Sequence, residues 1–203
     1  MKILIYFITL LIFSTFAFAC DNKNSDINFN NKENNMNNDN MPNNPKYAYF
    51  SSGCFWGVEY WFEKAEGVFS AISGYAGGHK ANPTYIEVCT GLTGHLETVK
   101  VGYDADKTTY EDLIKLFFET HNFTQKNGQG PDIGSQYLSA IFYQNEEEKE
   151  IAEKYINILK EKGFDVATTL REFKNFYEAE DYHQDYYSKK GSIPYCHFYN
   201  KIF

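Results

Sequence analysis

Between residues 46 and 203 the spacing of apolar positions changes several times, and each change predicts an element. Tyr47-Ala48-Tyr49-Phe50 is an aromatic, β-prone run, after which Val58, Trp61, Phe62 and Ala65 recur at helical spacing. Strand, glycine turn at Gly53 and a helix beginning at Cys54 are the predicted order. A second strand is expected over residues 68–75. A glycine-rich excursion through Gly77, Gly78 and Pro83 leads to residues 97–103, where Val99 and Val101 alternate with polar neighbours. Thr109 precedes a helical pattern carrying Leu113, Leu116 and Phe117, and residues 136–143 read as a strand. Residues 146–162 start acidic and end basic, as a helix dipole favours, and Gly163 can stop them. Residues 166–170 are a further candidate strand and residues 179–190 a last helix. The order βαββαβ with additions predicts an α+β fold: helices on one face of a mixed sheet, a ferredoxin-like two-layer sandwich with extra C-terminal elements.

Upstream of this domain the pattern is different. Residues 1–20 carry Lys2, then an apolar or small run ending in Ala17-Phe18-Ala19-Cys20, which reads as a targeting segment. Its end resembles a bacterial lipoprotein processing site with Cys20 as the lipidated residue; an ordinary secreted protein and an uncleaved anchor are the alternatives. All three place the remainder outside the cytoplasm, touching a membrane only through the N-terminal anchor. Residues 21–45 contain twelve Asn among twenty-five positions. So few apolar side chains cannot offset the entropy of ordering, and a flexible tether is expected. The formal net charge of −8, without a basic stripe, excludes nucleic acid as a partner, and a monomer is expected.

Chemistry enters with Gly53-Cys54-Phe55-Trp56-Gly57. A cysteine at a helix start is offered free N–H groups and the positive end of the dipole, which favour the nucleophilic thiolate. The other reading is a buried cysteine acting as a small hydrophobe. Two large rings beside it cannot both face the core, so one is expected to line a pocket for an apolar group. Zinc is not expected, because no two Cys or two His stand at short regular spacing.

The Gly-Cys-Phe-Trp-Gly stretch resembles the active-site motif of the peptide methionine sulfoxide reductase A family. The resemblance continues through Ser73-Gly74-Tyr75-Ala76-Gly77-Gly78, Pro83-Thr84-Tyr85, Val88-Cys89-Thr90-Gly91 and Thr93-Gly94-His95-Leu96-Glu97. Further on it includes residues 129–137 and Ala179-Glu180-Asp181-Tyr182-His183-Gln184, covering nearly all of 46–203. It implies the same sandwich fold and the thiol-dependent reduction of methionine S-sulfoxide, free or in oxidised proteins, each epimer having its own enzyme. In that reaction Cys54 is the nucleophile and Glu97 the proton donor, its pKa raised by an aromatic pocket; from the residue type alone, Glu97 is an exposed strand carboxylate. The resemblance further implies that Tyr85, Asp132 and Tyr137 bind the sulfoxide oxygen or shape the site, and that Phe55 and Trp56 cage the terminal methyl group. The sulfenic acid left on Cys54 must be cleared by a second thiol. Cys196 matches the family's resolving position on a tail expected to be mobile, the alternative being an idle tail thiol. Cys89 lies in a run, Ile86-Glu87-Val88, that reads as buried and structural. His183 matches the family and reads as structural, as do His79, His95 and His121 at loops or core edges. No bound cofactor is expected, only an external, thioredoxin-like dithiol.

The chain departs from the family pattern at Leu138, where Arg is common, and at His121-Asn122-Phe123-Thr124, where a proline turn is usual. Two rival classes share some features. A general thiol-disulfide oxidoreductase would carry Cys-x-x-Cys, which is missing; a non-catalytic surface-binding lipoprotein gives no reason for Cys54, Glu97 and Cys196 together.

Overall fold

The computed structural model describes residues 41–203, so the targeting segment, Cys20 and the tether up to residue 40 lie outside the described residues. Strand β1 (Pro45–Ser51) leads through the Gly53 turn into α1 (Phe55–Glu63), then β2 (Val68–Ala76), a short helix α2 (Tyr85–Cys89), β3 (Leu96–Asp104) and α3 (Tyr110–Glu119). A two-residue hairpin, β4 (Gly128–Gln129) and β5 (Asp132–Ile133), precedes a 3-10 turn at Ser135–Tyr137 and β6 (Ala140–Tyr143). Helix α4 (Glu146–Glu161), β7 (Thr169–Glu172), β8 (Phe176–Glu178), a 3-10 turn at Asp181–His183 and α5 (Tyr186–Lys190) complete the order.

Six strands form one mixed sheet in the order β7-β6-β1-β3-β2-β8. Its pairs are antiparallel except β6 with β7. That pair is bridged by α4, the crossover that a parallel connection requires. Both faces of the sheet are covered. On one, Phe50, Val99, Val101 and Ile141 pack with Phe62 of α1, Leu113, Ile114 and Phe117 of α3 and Leu159 of α4. Phe50 stacks on Phe62 at 5.0 Å and meets Phe117 at 5.4 Å. On the other, Tyr49, Ala76, Leu96 and Phe142 lie under Phe173, Phe176 and Leu138, with Tyr49 stacked on Phe173 at 3.9 Å. Leu138 is half-buried against this second cluster, where a charged side chain would lose part of its hydration.

Several predicted boundaries shift, each for a local reason. The strand expected over 136–143 begins only at Ala140, because the N–H of Tyr137 closes a turn onto the carbonyl of Gly134 at 3.1 Å. Register with β6 places β7 at Thr169–Glu172 rather than 166–170. The helix expected over 179–190 is broken in two. The Gln184 side chain bonds the N–H and carbonyl of Ser73 and the carbonyl of Ala179, and Asp185 takes a left-handed φ of 53°. Helix α2 was not expected, although its capping box, Thr84 with Glu87 at the third helical position, is a signal of the sequence. It also corrects the buried reading of its residues: Val88 is buried, but Ile86 is exposed and Cys89 half-buried. His95, His121 and His183 are core residues rather than edge ones.

Helix α1 turns one acid inward. Glu59 is 1% exposed, and burial, then the nearby Glu63 and Asp185, raise its pKa to about 8 against the opposing hydrogen bonds of Ser73. An unfolded Glu releases its proton near 4.5. Between these values the folded state holds the extra proton, so stability falls as pH rises through that window. Glu59→Gln removes the penalty; it is expected to raise Tm at pH 8 by several degrees, on the order of 1–3 kcal/mol, and to leave Tm at pH 4.5 nearly unchanged. Thermal melts at both pH values check this, and a shift of equal size at each would refute it.

Candidate active site

The site grows from the turn between β1 and α1. Gly53 adopts φ +97°, and a Cβ there would stand 2.4 Å from the Cβ of Gln129, so only glycine permits both the turn and the approach. The turn leaves Cys54 as the N-cap of α1. Gly57, one turn on, is as closely covered: a Cβ would lie 2.2 Å from Nδ1 of His197. The C-terminal segment is thus packed onto the first turn of α1, and Cys196 and His197 are 7% and 1% exposed. The expectation of a mobile tail is corrected here. Gln129, fixed by its own contact with the Asn122 N–H, donates from Nε2 to the Cys196 carbonyl at 2.8 Å. The altered 121–124 loop therefore contributes to holding the tail.

Glu97, the second residue of β3, is 1% exposed and accepts the N–H of Phe55 at 3.0 Å. Its carboxyl thus lies at the mouth of α1, on the N–H next in sequence to Cys54. Burial raises it to about 8, opposed by that hydrogen bond and reinforced by Asp132; the exposed-strand alternative does not hold. The same surroundings overturn the expected resting thiolate. Burial first, then Glu97, push the Cys54 thiol well up; the Trp56 N–H pulls the other way, and Cys196 and Asp132 add to the rise. The helix terminus does favour the anion, but desolvation next to a carboxyl wins. At rest the site holds a thiol beside a protonated acid.

Two phenols face this pair. Tyr85 and Tyr137 are both kept neutral by burial and then by the charge of Glu97, so each is a hydroxyl donor. Tyr85 is also in contact with Cys89. Glu180 sets its place, accepting the Tyr85 N–H at 2.9 Å through one oxygen and the Tyr75 hydroxyl at 2.9 Å through the other. Asp132, 8% exposed, accepts from the Tyr195 hydroxyl at 3.1 Å and lies near the Cys196 thiol.

Phe55 and Trp56 belong to an aromatic wall that sequence reasoning saw only in part. Phe55 lies 5.9 Å from Tyr75, 6.4 Å from Tyr85 and 4.9 Å from His183. Tyr186 stacks on Trp56 at 3.7 Å, nearly parallel. The indole N–H of Trp56 donates to Nδ1 of His183 at 3.1 Å, which puts the proton of His183 on Nε2. Burial lowers His183 to about 4, so it is neutral. Glu180, His183 and Tyr186 were not singled out as site residues, because nothing in the sequence shows that this segment returns to α1. Among the described residues no group of three or more His, Cys, Asp and Glu could hold a metal ion.

A family model described as peptide methionine sulfoxide reductase matches residues 46–202. The peptide methionine sulfoxide reductase MsrA of Natronomonas pharaonis is 49% identical over 152 residues, 73% of this chain and 85% of that protein. That of Acinetobacter baumannii (strain AYE) is 50% identical over 151 residues, 74% of this chain and 87% of that protein. Among solved structures, Mxr1 from Saccharomyces cerevisiae in reduced form is similar with a TM-score of 0.72 at 33% identity, covering 79% of this chain and 94% of that one. Methionine sulfoxide reductase A of Corynebacterium diphtheriae gives 0.66 at 36% identity, covering 73% and 76%.

Proposed function

The chain belongs to the peptide methionine sulfoxide reductase family, and from that membership and the site geometry we propose how its residues divide the work. It is a peptide-methionine (S)-S-oxide reductase, using thiols to return methionine sulfoxide to methionine. No bound cofactor takes part; the electrons come from an external dithiol.

The observation that carries the assignment of roles is the Glu97 carboxyl on the Phe55 N–H, beside the Cys54 thiol. Oxide is too poor a leaving group unless protonated. Glu97 gives its proton to the sulfoxide oxygen, with Tyr85 and Tyr137 donating to the charge that builds there. Cys54 takes the oxygen and becomes a sulfenic acid, its own proton replacing the one Glu97 gave, and methionine leaves. Phe55 and Trp56 enclose the methyl group, where a charged group would be desolvated. Asp132 holds the pocket edge. Cys196 then attacks the sulfenic sulfur, releasing water and forming a disulfide, which a thioredoxin-like dithiol reduces. The experiment is consumption of the separate S and R epimers of a blocked methionine sulfoxide: loss of the S epimer alone supports the reading, and loss of neither sinks it.

Cys196→Ser separates the two halves of the cycle. Without reductant it is expected to release about one equivalent of methionine, as the unaltered protein does, while steady-state turnover with a thioredoxin-like dithiol falls by about tenfold or more. Full turnover in the variant would remove Cys196 from the cycle.

The finer readings have their own support. The strand order β6-β1-β3-β2 with α1 and α3 between the strands supports a ferredoxin-like core. The apolar run before Cys20 and the Asn-rich stretch support a tethered, extracytoplasmic lipoprotein, testable by radiolabelled fatty acid incorporation lost in Cys20→Ala. A single chain carries the whole site, in keeping with a monomer.

A further inference from the structure

His197 is buried against the resolving thiol and no step so far uses it. Its Nε2 lies 2.7 Å from the carbonyl of Ser52. A carbonyl can only accept, so Nε2 holds the ring proton and Nδ1 presents its lone pair. That Nδ1 is 3.1 Å from the Sγ of Cys196, so the thiol donates to it. The ring is wedged between Cys196 and the first turn of α1, close enough that a Cβ on Gly57 or Gly53 would meet it. It is 1% exposed and held in this orientation from both sides.

We propose that His197 is the general base, and then the general acid, of the resolving step. The inference rests on the reading of Cys54 as nucleophile and Cys196 as resolving thiol. The Cys196 proton passes to Nδ1 as its sulfur attacks the sulfur of the Cys54 sulfenic acid. The S–S bond forms, the S–O bond breaks, and the departing hydroxide takes the proton back from the imidazolium and leaves as water. No electrons are needed from outside, since the sulfenic acid is the oxidant.

The surroundings explain why a base is required. Burial, then Asp132, push the Cys196 thiol up to about 12, so almost none of it ionises unaided near neutral pH. Cys54, Glu97, Asp132, Tyr195 and Tyr187 are the titratable groups around that thiol, and His121 is the one felt across the ring. None is a cation that would lower the thiol. Burial lowers His197 to about 4, which keeps it neutral and able to accept a proton through the physiological range.

The test compares His197→Asn, whose amide oxygen replaces the Nδ1 acceptor but cannot take a proton, with the unaltered protein. Methionine release in a single turnover shows that the site is folded and that the reductase reading stands. Disulfide formation is followed by the loss of dimedone-reactive sulfenic acid. Expected is an unchanged methionine burst, disulfide formation slower by about 10²-fold, and a rate that climbs roughly tenfold per pH unit where the unaltered protein is flat. Disulfide formation within twofold of the unaltered protein would show that an acceptor suffices and overturn the proposal. A missing burst in the unaltered protein would instead sink the reductase reading, and this inference with it.

Discussion

Cys54→Ser is expected to abolish reduction of methionine S-sulfoxide, lowering kcat by about 10⁴-fold or more, the scale seen when a catalytic nucleophile is removed. The substitution is close to isosteric at an N-cap, where Ser is a favoured residue, so α1 and the Gly53 turn should form as before. What is lost is chemical. A sulfenic acid stores the abstracted oxygen because sulfur is readily oxidised, whereas a serine hydroxyl has no equivalent state. The measurement is methionine formed from a blocked S-sulfoxide with excess dithiol, with a thermal melt alongside to show that the variant is folded. Residual turnover within tenfold of the unaltered protein would show that another thiol, Cys89 or Cys196, takes the oxygen. The surface-binding alternative makes the opposite statement, since a binder would keep its ligand when Cys54 is changed.

Glu97→Gln should slow the first turnover by about 10²- to 10⁴-fold, the usual span for a positioned general acid. Glutamine keeps an amide oxygen for the Phe55 N–H, so the change removes the proton more than the packing. The pH dependence gives a sharper signature. Glu97 carries its proton up to about pH 8, so the rate of the unaltered protein should fall as pH rises through that value and the acid ionises. Ionised Glu97 also pushes the Cys54 thiol further from its reactive form, steepening the fall. In Glu97→Gln that alkaline limb should disappear. Rapid-quench measurement of methionine release between pH 6 and pH 10 decides the matter; an unchanged rate, or an alkaline limb that persists in the variant, would remove Glu97 from the proton-donor role.

The two predictions depend on a pairing whose halves differ in how they could be found. Cys54 is visible in the sequence because its signals are local: an aromatic strand, a glycine that turns the chain, and apolar positions at helical spacing behind it. Glu97 as a chemical group is not local. It follows a turn in a strand, as many solvated carboxylates do, and only the family motif singled it out. The same holds at the other end of the chain. Nothing in Asp181-Tyr182-His183-Gln184 says that His183 will meet the indole of Trp56, 127 residues away, or that Gln184 will spend its amide on Ser73 and end a helix its neighbours favour.

By itself the sequence determined most of the strands and helices and the cysteine at the start of α1, because periodicity, capping and turn chemistry act over a few residues. The match of motifs along residues 46–202 carried the reaction class. Tertiary structure alone decided which groups meet and in what state. Bringing β3 and the C-terminal segment onto the first turn of α1 buries Glu97, Cys196 and His197 around a half-buried Cys54. Burial removes the water that would have stabilised their charges, so the thiols and the acid rest protonated and the imidazole neutral. A reading that knew only the helix dipole expected a thiolate, because the dipole is local and desolvation is not.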